Sequence, residues 1–405
     1  MGVTTAGDST GGAGVFRRHV LYIPGYDPFP PRRYRELYRT EGAAQAAISG
    51  HAIALKPREG ATYGWTVAAR VEDRAVETEV EVLVWSDLVK GSMGRGIIGT
   101  YGQMLRTAWL YIGSGALRRL IRLRKGPMIA ALYPVVALVL QAVLALLVAG
   151  LVLWLGWGLP WGLGWLLAAG GAWAVLEGFR RLDRRLFVYY LMHDYAFTTV
   201  QGGAYPAVLE ERLRAFGARV RSALASGVDE VLVVGHSSGV HLGVSLLADL
   251  IRAGVPRGSV LGFLSLGQAV PMVSFLPGAA RLRGDLAFLS QRDELTWVDV
   301  TAPGDGCSFA LCDPVAVSGV ATEGQRWPLI LSAAFTQTLS PERWAALRRR
   351  YFRLHFQYLC AFDRPGGYDY FRITAGPLTL AERFRGRKAS SSRIATPLSP
   401  FKDVA

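Results

Sequence analysis

The chain contains few cysteines, and none of them lies in a spacing that favours metal binding. Three Cys occur among 405 residues, and Cys307 and Cys312 lack the second pair that a zinc site would need. So few cysteines give no disulfide framework and are typical of a reducing compartment. We therefore expect no metal and no cofactor.

The first residues of the chain lack the apolar core of a secretory signal peptide. Residues 1–16 are rich in Gly and Thr, so a disordered tail is predicted there. Residues 388–405 are Ser/Pro-rich and are expected to form a second disordered tail. The sequence between them has no internal repeat.

No charged residue occurs between Lys125 and Glu177. Such a stretch is too long for a core helix and long enough for two membrane crossings of about 20 residues each. Gly, Pro and Trp residues near its middle would break a helix and suit a membrane–water interface. We predict a helical hairpin, with one arm from Met128 to about Leu155 and a second from about Trp161 to Leu176, so that residues 128–176 contact the bilayer. A re-entrant hairpin is the alternative geometry.

Basic residues flank this stretch on both sides and are expected to stay on the cytoplasmic side of a membrane. They are Arg118, Arg119, Arg122, Arg124 and Lys125 before it, and Arg180, Arg181, Arg184 and Arg185 after it. We expect a multi-pass protein of the inner (cytoplasmic) membrane with its remaining residues in the cytoplasm. The net charge of +14 is not accompanied by a nucleic-acid-binding motif, so anionic lipid headgroups are the expected partner and nucleic acid is not.

Outside the charge-free stretch, strand patterns alternate with helix patterns. Strands are predicted near 19–23, 52–55, 64–70, 77–84, 231–234, 260–266 and 295–300, and helices near 30–49, 205–226, 240–253 and 341–352. This alternation predicts an α/β fold with one mostly parallel, doubly wound sheet. Residues 17–100 and 186–387 would form this domain, with residues 101–185 as a membrane hairpin inserted into it.

The segment Val-Leu-Val-Val-Gly-His-Ser-Ser-Gly at 231–239 combines a buried strand, a sharp turn and a serine. Gly235 and Gly239 remove side chains where the backbone would reverse, which leaves Ser237 strained and exposed above the sheet. This Gly-x-Ser-x-Gly segment resembles the nucleophile elbow of the α/β-hydrolase family. The alternative is an ordinary strand–turn–helix in which the serine only caps the helix.

The resemblance implies the chain order nucleophile, acid, histidine. Two of the six His residues follow Ser237, and His241 lies one turn into the elbow helix, too close to reach over its own nucleophile. His355 is therefore the expected base. The segment from His355 to Tyr358 resembles the His-x-x-Tyr segment of a subset of lipase-like α/β-hydrolases. A histidine packed on a helix face without a catalytic role is the other interpretation.

The acid is expected in a loop after a late strand. Asp305 lies four residues beyond the predicted strand 295–300 and is the first choice. Asp313, in an Asp-Pro-Val tripeptide that resembles the acid loop of many lipases, is the second, and Asp299 the third.

An oxyanion hole would use two backbone N–H groups, from Ser238 and from the loop after the first strand. In the family that loop often begins with His-Gly, whereas here it reads Pro24-Gly25-Tyr26, so Tyr26 N–H is the second expected donor. The chain also shows no strand pair ahead of this loop, which predicts a trimmed sheet.

These features predict a membrane-anchored serine hydrolase that cleaves the ester or thioester bond of a lipophilic substrate. The alternative is a hydrolase-fold membrane protein whose catalytic residues are degenerate and which acts as a scaffold or partner-binding module.

Overall fold

Eight strands form one mixed sheet in the part of the chain that the structure describes. The computed structural model describes residues 16–58, 60, 62–160, 162–256, 258 and 260–405. The strands are β1 (Phe16–Ile23), β2 (Ala52–Pro57), β3 (Gly64–Val71), β4 (Arg74–Val82), β5 (Glu230–His236), β6 (Leu261–Leu266), β7 (Leu295–Thr301) and β8 (Leu329–Ser332). Their spatial order is β2-β3-β4-β1-β5-β6-β7-β8.

All neighbours from β4 to β8 pair in parallel, and β2 and β3 add an antiparallel edge. The mostly parallel α/β sheet is thus confirmed. The sheet is not trimmed as expected. The antiparallel strands β2 and β3, which follow the first helix along the chain, occupy its edge beside β4. Strand β8 was not predicted, since its four residues are too few to show a period.

The parallel strands β1, β5, β6 and β7 are buried on both faces, as in a doubly wound sheet. In β1, Val20 and Tyr22 belong to one apolar cluster, whereas Leu21 and Ile23 belong to another. This alternation follows from the two-residue period of a strand. Strand β1 runs parallel to its neighbours β4 and β5. Its carboxyl end therefore lies beside those of the other parallel strands, at one edge of the sheet.

The helices flank this sheet or belong to the insertion. They are α1 (Arg32–Ser49), α2 (Ser86–Ser92), α3 (Ile97–Gly113), α4 (Ala116–Leu123), α5 (Lys125–Leu155), α6 (Leu163–Arg181), α7 (Asp183–Leu186), α8 (Val188–Thr199), α9 (Ala207–Leu224), α10 (Gly239–Arg252), α11 (Val270–Ser274), α12 (Ala280–Leu289), α13 (Pro314–Val317), α14 (Phe335–Thr338), α15 (Pro341–Leu347), α16 (Tyr351–His355), α17 (Tyr370–Thr374) and α18 (Leu380–Arg383), with a 3₁₀ turn at Phe356–Leu359.

One helix in the described residues, α5, is long and apolar enough to cross a membrane. Its 31 residues span about 46 Å at 1.5 Å per residue. Its most apolar window has a mean hydropathy of 2.8 and is only 17% buried, unlike a core helix. The base of α5 packs on the domain, where Tyr101 donates a hydrogen bond to the Leu138 carbonyl at 2.9 Å and Tyr133 donates to the Leu186 carbonyl at 2.8 Å.

The predicted pair of membrane-crossing helices is supported for this one helix only. Helix α6 packs along α5 at Gly171, since a Cβ there would lie 3.4 Å from Val148 Cγ1 and 3.6 Å from Val152 Cγ2. Its last turns, however, carry Glu177, Arg180 and Arg181, so its apolar part is short. The length and composition of α6 therefore do not show a second membrane crossing.

Residues 388–405 are extended and packed on the domain. Ile394 forms a parallel bridge with Cys312, and Asp403 pairs with the buried Arg283 at 2.8 Å. The expected disorder of this segment does not hold, because its apolar side chains dock onto a buried cluster that Ser/Pro content does not reveal. Most of the tail predicted at 1–16 lies outside the described residues.

Candidate active site

Ser237 lies in the turn between β5 and α10 with a left-handed backbone, at φ 56°. Residues other than glycine rarely adopt this conformation, and it is strained. The turn leaves no room for side chains at its glycines. A Cβ on Gly235 would lie 2.9 Å from the Gly239 carbonyl oxygen, and one on Gly239 would lie 2.3 Å from the Ile23 carbonyl oxygen. The motif glycines therefore allow the close approach of β5, α10 and β1.

The loop after β1 lies directly against this serine. A Cβ on Gly25 would lie 2.9 Å from the Ser237 Cβ. The loop is held by hydrogen bonds from Trp85 Nε1 to the Pro24 carbonyl at 2.9 Å and from the Tyr190 hydroxyl to the Tyr26 carbonyl.

Two backbone N–H groups are available beside Ser237. Among the described residues, neither the Tyr26 N–H nor the Ser238 N–H donates to a protein acceptor. Both residues line the same cavity as Ser237. Backbone donors without partners are what an oxyanion hole requires.

His355 and Asp305 form a buried pair at the same edge of the sheet. His355 ends α16, and its Nδ1 lies 2.8 Å from the Asp305 Oδ2. The Tyr358 hydroxyl donates to the same oxygen at 3.0 Å, and the Cys307 N–H donates to the other oxygen at 2.9 Å. Burial raises the pKa of Asp305, but His355, the Cys307 N–H group and the Ser308 side chain outweigh it and bring the pKa below its usual value.

A carboxylate only accepts hydrogen bonds, so the His355 Nδ1 carries the hydrogen of this contact. In the neutral ring the Nε2 is then an acceptor. It is buried and has no hydrogen-bond partner among the described residues. The geometry therefore leaves one basic nitrogen free beside the cavity.

The His355 ring is packed close to the elbow. A Cβ on Gly267, which follows β6, would lie 3.0 Å from the His355 Cε1. The ring of His236 lies 4.7 Å from that of His355, and its Nε2 donates to the His355 carbonyl at 3.0 Å. Burial lowers the pKa of His236 to about 3, so this ring is neutral.

Ser237 and His355 line one cavity of about 1440 Å³, but the structure shows no hydrogen bond from the Ser237 hydroxyl to His355 among the described residues. Catalytic hydrogen bonds are often long in unliganded sites and shorten with substrate. The two residues thus share a cavity without direct contact.

Asp313 lies elsewhere. Its carboxylate caps α13 by accepting the N–H groups of Val315 and Ala316 at 3.0 and 3.1 Å, and it also accepts from Gln325 at 2.9 Å. Asp299 accepts from the Ser265 hydroxyl at 2.6 Å inside the sheet, where burial raises its pKa to about 8. Of the three acids that the sequence left open, Asp305 is the one that contacts His355.

A fourth acid, Asp194 on α8, was missed by the sequence reasoning. It lines the cavity with Ser237 and His355, and burial raises its pKa to about 7 although the nearby His355 lowers it. No local pattern could have given the signal, because α8 reaches the cavity only through its packing on α3 and α5.

Cys307 was considered only as half of a metal pair with Cys312. In the structure one donor atom each of Asp305, Cys307 and His355 lie within 4.8 Å of one another, so these side chains could hold a metal ion. An ion there would break the 2.8 Å contact of Asp305 with His355. A metal ion held by these three side chains would therefore replace the hydrogen bond between His355 and Asp305.

Comparison of the chain with models of protein families, with curated protein sequences and with solved structures gives no match in any of the three.

Proposed function

We propose that the chain is a membrane-anchored serine hydrolase that cleaves carboxylic ester or thioester bonds of lipophilic substrates. The observation that carries the proposal is a strained Ser237 that shares a cavity with His355, whose other ring nitrogen is bonded to Asp305. These are the three roles that a serine nucleophile needs, in the chain order of the α/β-hydrolase family.

In this mechanism the Ser237 hydroxyl turns toward the His355 Nε2, gives it the proton and attacks the substrate carbonyl carbon. The N–H groups of Tyr26 and Ser238 stabilise the oxyanion. Asp305 holds the imidazole in the required tautomer and stabilises its charged form. The proton then passes to the leaving alcohol or thiol, and water releases the acyl group by the reverse sequence.

The membrane anchor is part of the same proposal. The outer part of α5 and the start of α6 expose large apolar side chains, namely Val139, Leu140, Leu146, Leu147, Leu151, Trp154, Leu155, Trp157, Trp165 and Leu166. An exposed apolar surface of this size is unfavourable in water unless another apolar surface packs against it. A lipid bilayer provides one, and the arginines at the base of the pair favour the cytoplasmic side of an inner membrane.

A fluorophosphonate probe tests the nucleophile. We expect the full-length protein in detergent to be labelled, Ser237→Ala to be unlabelled, and His355→Ala to be labelled at least 100-fold more slowly, the usual size of a lost general base. Ser245→Ala, which removes another serine hydroxyl from α10, should label like the wild type. If the folded wild type is not labelled, the chain instead fits a degenerate hydrolase fold that acts as a scaffold.

A further inference from the structure

The mouth of the active-site cavity is strongly basic. Eight arginines and three aspartates line the cavity. Three of these arginines have an acidic partner, since Arg180 and Arg181 pair with Glu177 and Arg33 pairs with Asp27. The other five form no ion pair within the described residues, and they are Arg184, Arg185, Arg349, Arg350 and Arg353.

These five side chains come from two segments that both line the cavity. Arg184 and Arg185 belong to α7, at the base of the membrane pair, whereas Arg349 and Arg350 precede α16 and Arg353 lies within it. All five are exposed to solvent. They therefore lie at the entrance, and three of them are on the same segment as the proposed base.

The three aspartates of the cavity are too few to balance its eight arginines. Asp183 accepts the N–H groups of Tyr189 and Tyr190 at 2.8 and 3.1 Å, and Asp27 is bonded to the Tyr34 hydroxyl at 2.6 Å. Burial raises the pKa of Asp194 to about 7, so much of it is uncharged near neutral pH. An anion at the entrance would meet a net positive field.

Much of the rest of the cavity wall is apolar. Ile129 and Ala130 of α5, Met272 and Val273 around α11, and Phe352 line it together with Ser237. A volume of about 1440 Å³ exceeds the roughly 300–1,000 Å³ of an ordinary small-molecule pocket and leaves room for a long chain. Helix α5, which we propose enters the bilayer, forms part of the cavity wall. An acyl chain could therefore pass between the bilayer surface and the cavity.

Resting on the hydrolase function proposed above, we propose that the substrate is an acyl ester or thioester that carries a phosphate group, held by the entrance arginines while its acyl chain occupies the apolar part. Arginine matches this task because its planar fork pairs with phosphate oxygens. The Ser237 oxygen bonds to the acyl carbon, the C–O or C–S bond breaks, and the phosphorylated alcohol or thiol leaves with the proton from His355. Water then releases the acyl group as a carboxylate.

Substrate pairs that differ in phosphate test this class with the full-length protein in neutral detergent. For a membrane source, 1-oleoyl-lysophosphatidate is compared with 1-oleoylglycerol. For a soluble source, octanoyl-coenzyme A is compared with octanoyl-N-acetylcysteamine. We expect kcat/KM to be at least about tenfold higher for the phosphorylated member of one pair, mainly through KM, and that pair identifies the source.

Charge variants then locate the effect. Arg349→Gln with Arg350→Gln should reduce the phosphate preference about tenfold. The matched control is Arg118→Gln with Arg122→Gln, which removes two exposed arginines of α4 that do not line the cavity, and it should keep the preference. Equal losses in both double variants would overturn the proposal, because the arginines would then act only through general attraction to a charged surface.

Failure of the substrate class is distinct from failure of the function. If Ser237 is labelled by the fluorophosphonate and both members of each pair are cleaved equally, the hydrolase stands and the phosphate proposal is wrong. If Ser237 is not labelled and no ester is cleaved, the hydrolase function itself fails and the substrate class fails with it.

Discussion

At the scale of single residues, two buried carboxylates after β7 have different tasks. Asp305 contacts the His355 ring at 2.8 Å, whereas Asp313 accepts hydrogen bonds at the start of α13. Both side chains are buried and both follow the same strand, so their sequence positions alone could not separate them. What separates them is the approach of α16, a contact 50 residues away along the chain.

Replacing each acid by its amide tests this assignment. Asp305→Asn would favour the wrong tautomer of His355, and we expect kcat for a neutral ester to fall on the order of 10⁴-fold. Asp313→Asn keeps an oxygen that can cap α13, so kcat should stay within about twofold of the wild type. Steady-state hydrolysis of a p-nitrophenyl ester measures both. A large loss in Asp313→Asn together with an active Asp305→Asn would show that the acids are assigned the wrong way round.

At the scale of elements, the positions that could be predicted are those fixed by local chemistry. The turn at Ser237 follows from its glycines, because β5, α10 and β1 approach so closely that a Cβ does not fit. The choice of His355 followed from chain order. Asp194 could not be found, since it reaches the cavity only through the packing of α8 on α3 and α5.

The helical pair α5 and α6 gives the clearest prediction at this scale. If α5 crosses the membrane and α6 returns, their connection lies on the side opposite the domain. Gly158 lies in that connection with open space around it, so a cysteine fits there. In intact spheroplasts, Gly158→Cys should react with a membrane-impermeant maleimide, whereas Ser391→Cys should react only after permeabilisation.

The wild type provides the baseline for this labelling, because it has three free cysteines of its own. A Gly158→Cys protein that reacts only after permeabilisation would exclude the double crossing. It would favour a re-entrant pair that enters and leaves the bilayer on the cytoplasmic side.

At the scale of the whole molecule, the half-buried Asp194 and the buried Asp299 tie stability to pH. Burial raises the pKa of Asp194 to about 7 and that of Asp299 to about 8. In the unfolded chain both groups ionise near pH 4. The folded state therefore holds more protons than the unfolded state between about pH 4 and pH 8. By linkage, the contribution of these two groups to the free energy of unfolding falls as pH rises through this window.

Asp194→Asn and Asp299→Asn remove the titrating groups while keeping their shape, and the amide oxygen introduced by Asp299→Asn would still accept from Ser265. Relative to the wild type, we expect each to raise the apparent Tm by several degrees at pH 8.5 and by much less at pH 5, since a pKa unit corresponds to about 1.4 kcal/mol. Glu323→Gln, which changes an exposed acid, should shift Tm equally little at both pH values. Thermal unfolding in one detergent, followed by near-UV circular dichroism, measures the difference. A Tm gain that is the same at pH 5 and pH 8.5 would mean that these carboxyls do not hold protons in the folded protein. Asp194 would then be charged, whereas the positive field of the cavity depends partly on its being neutral.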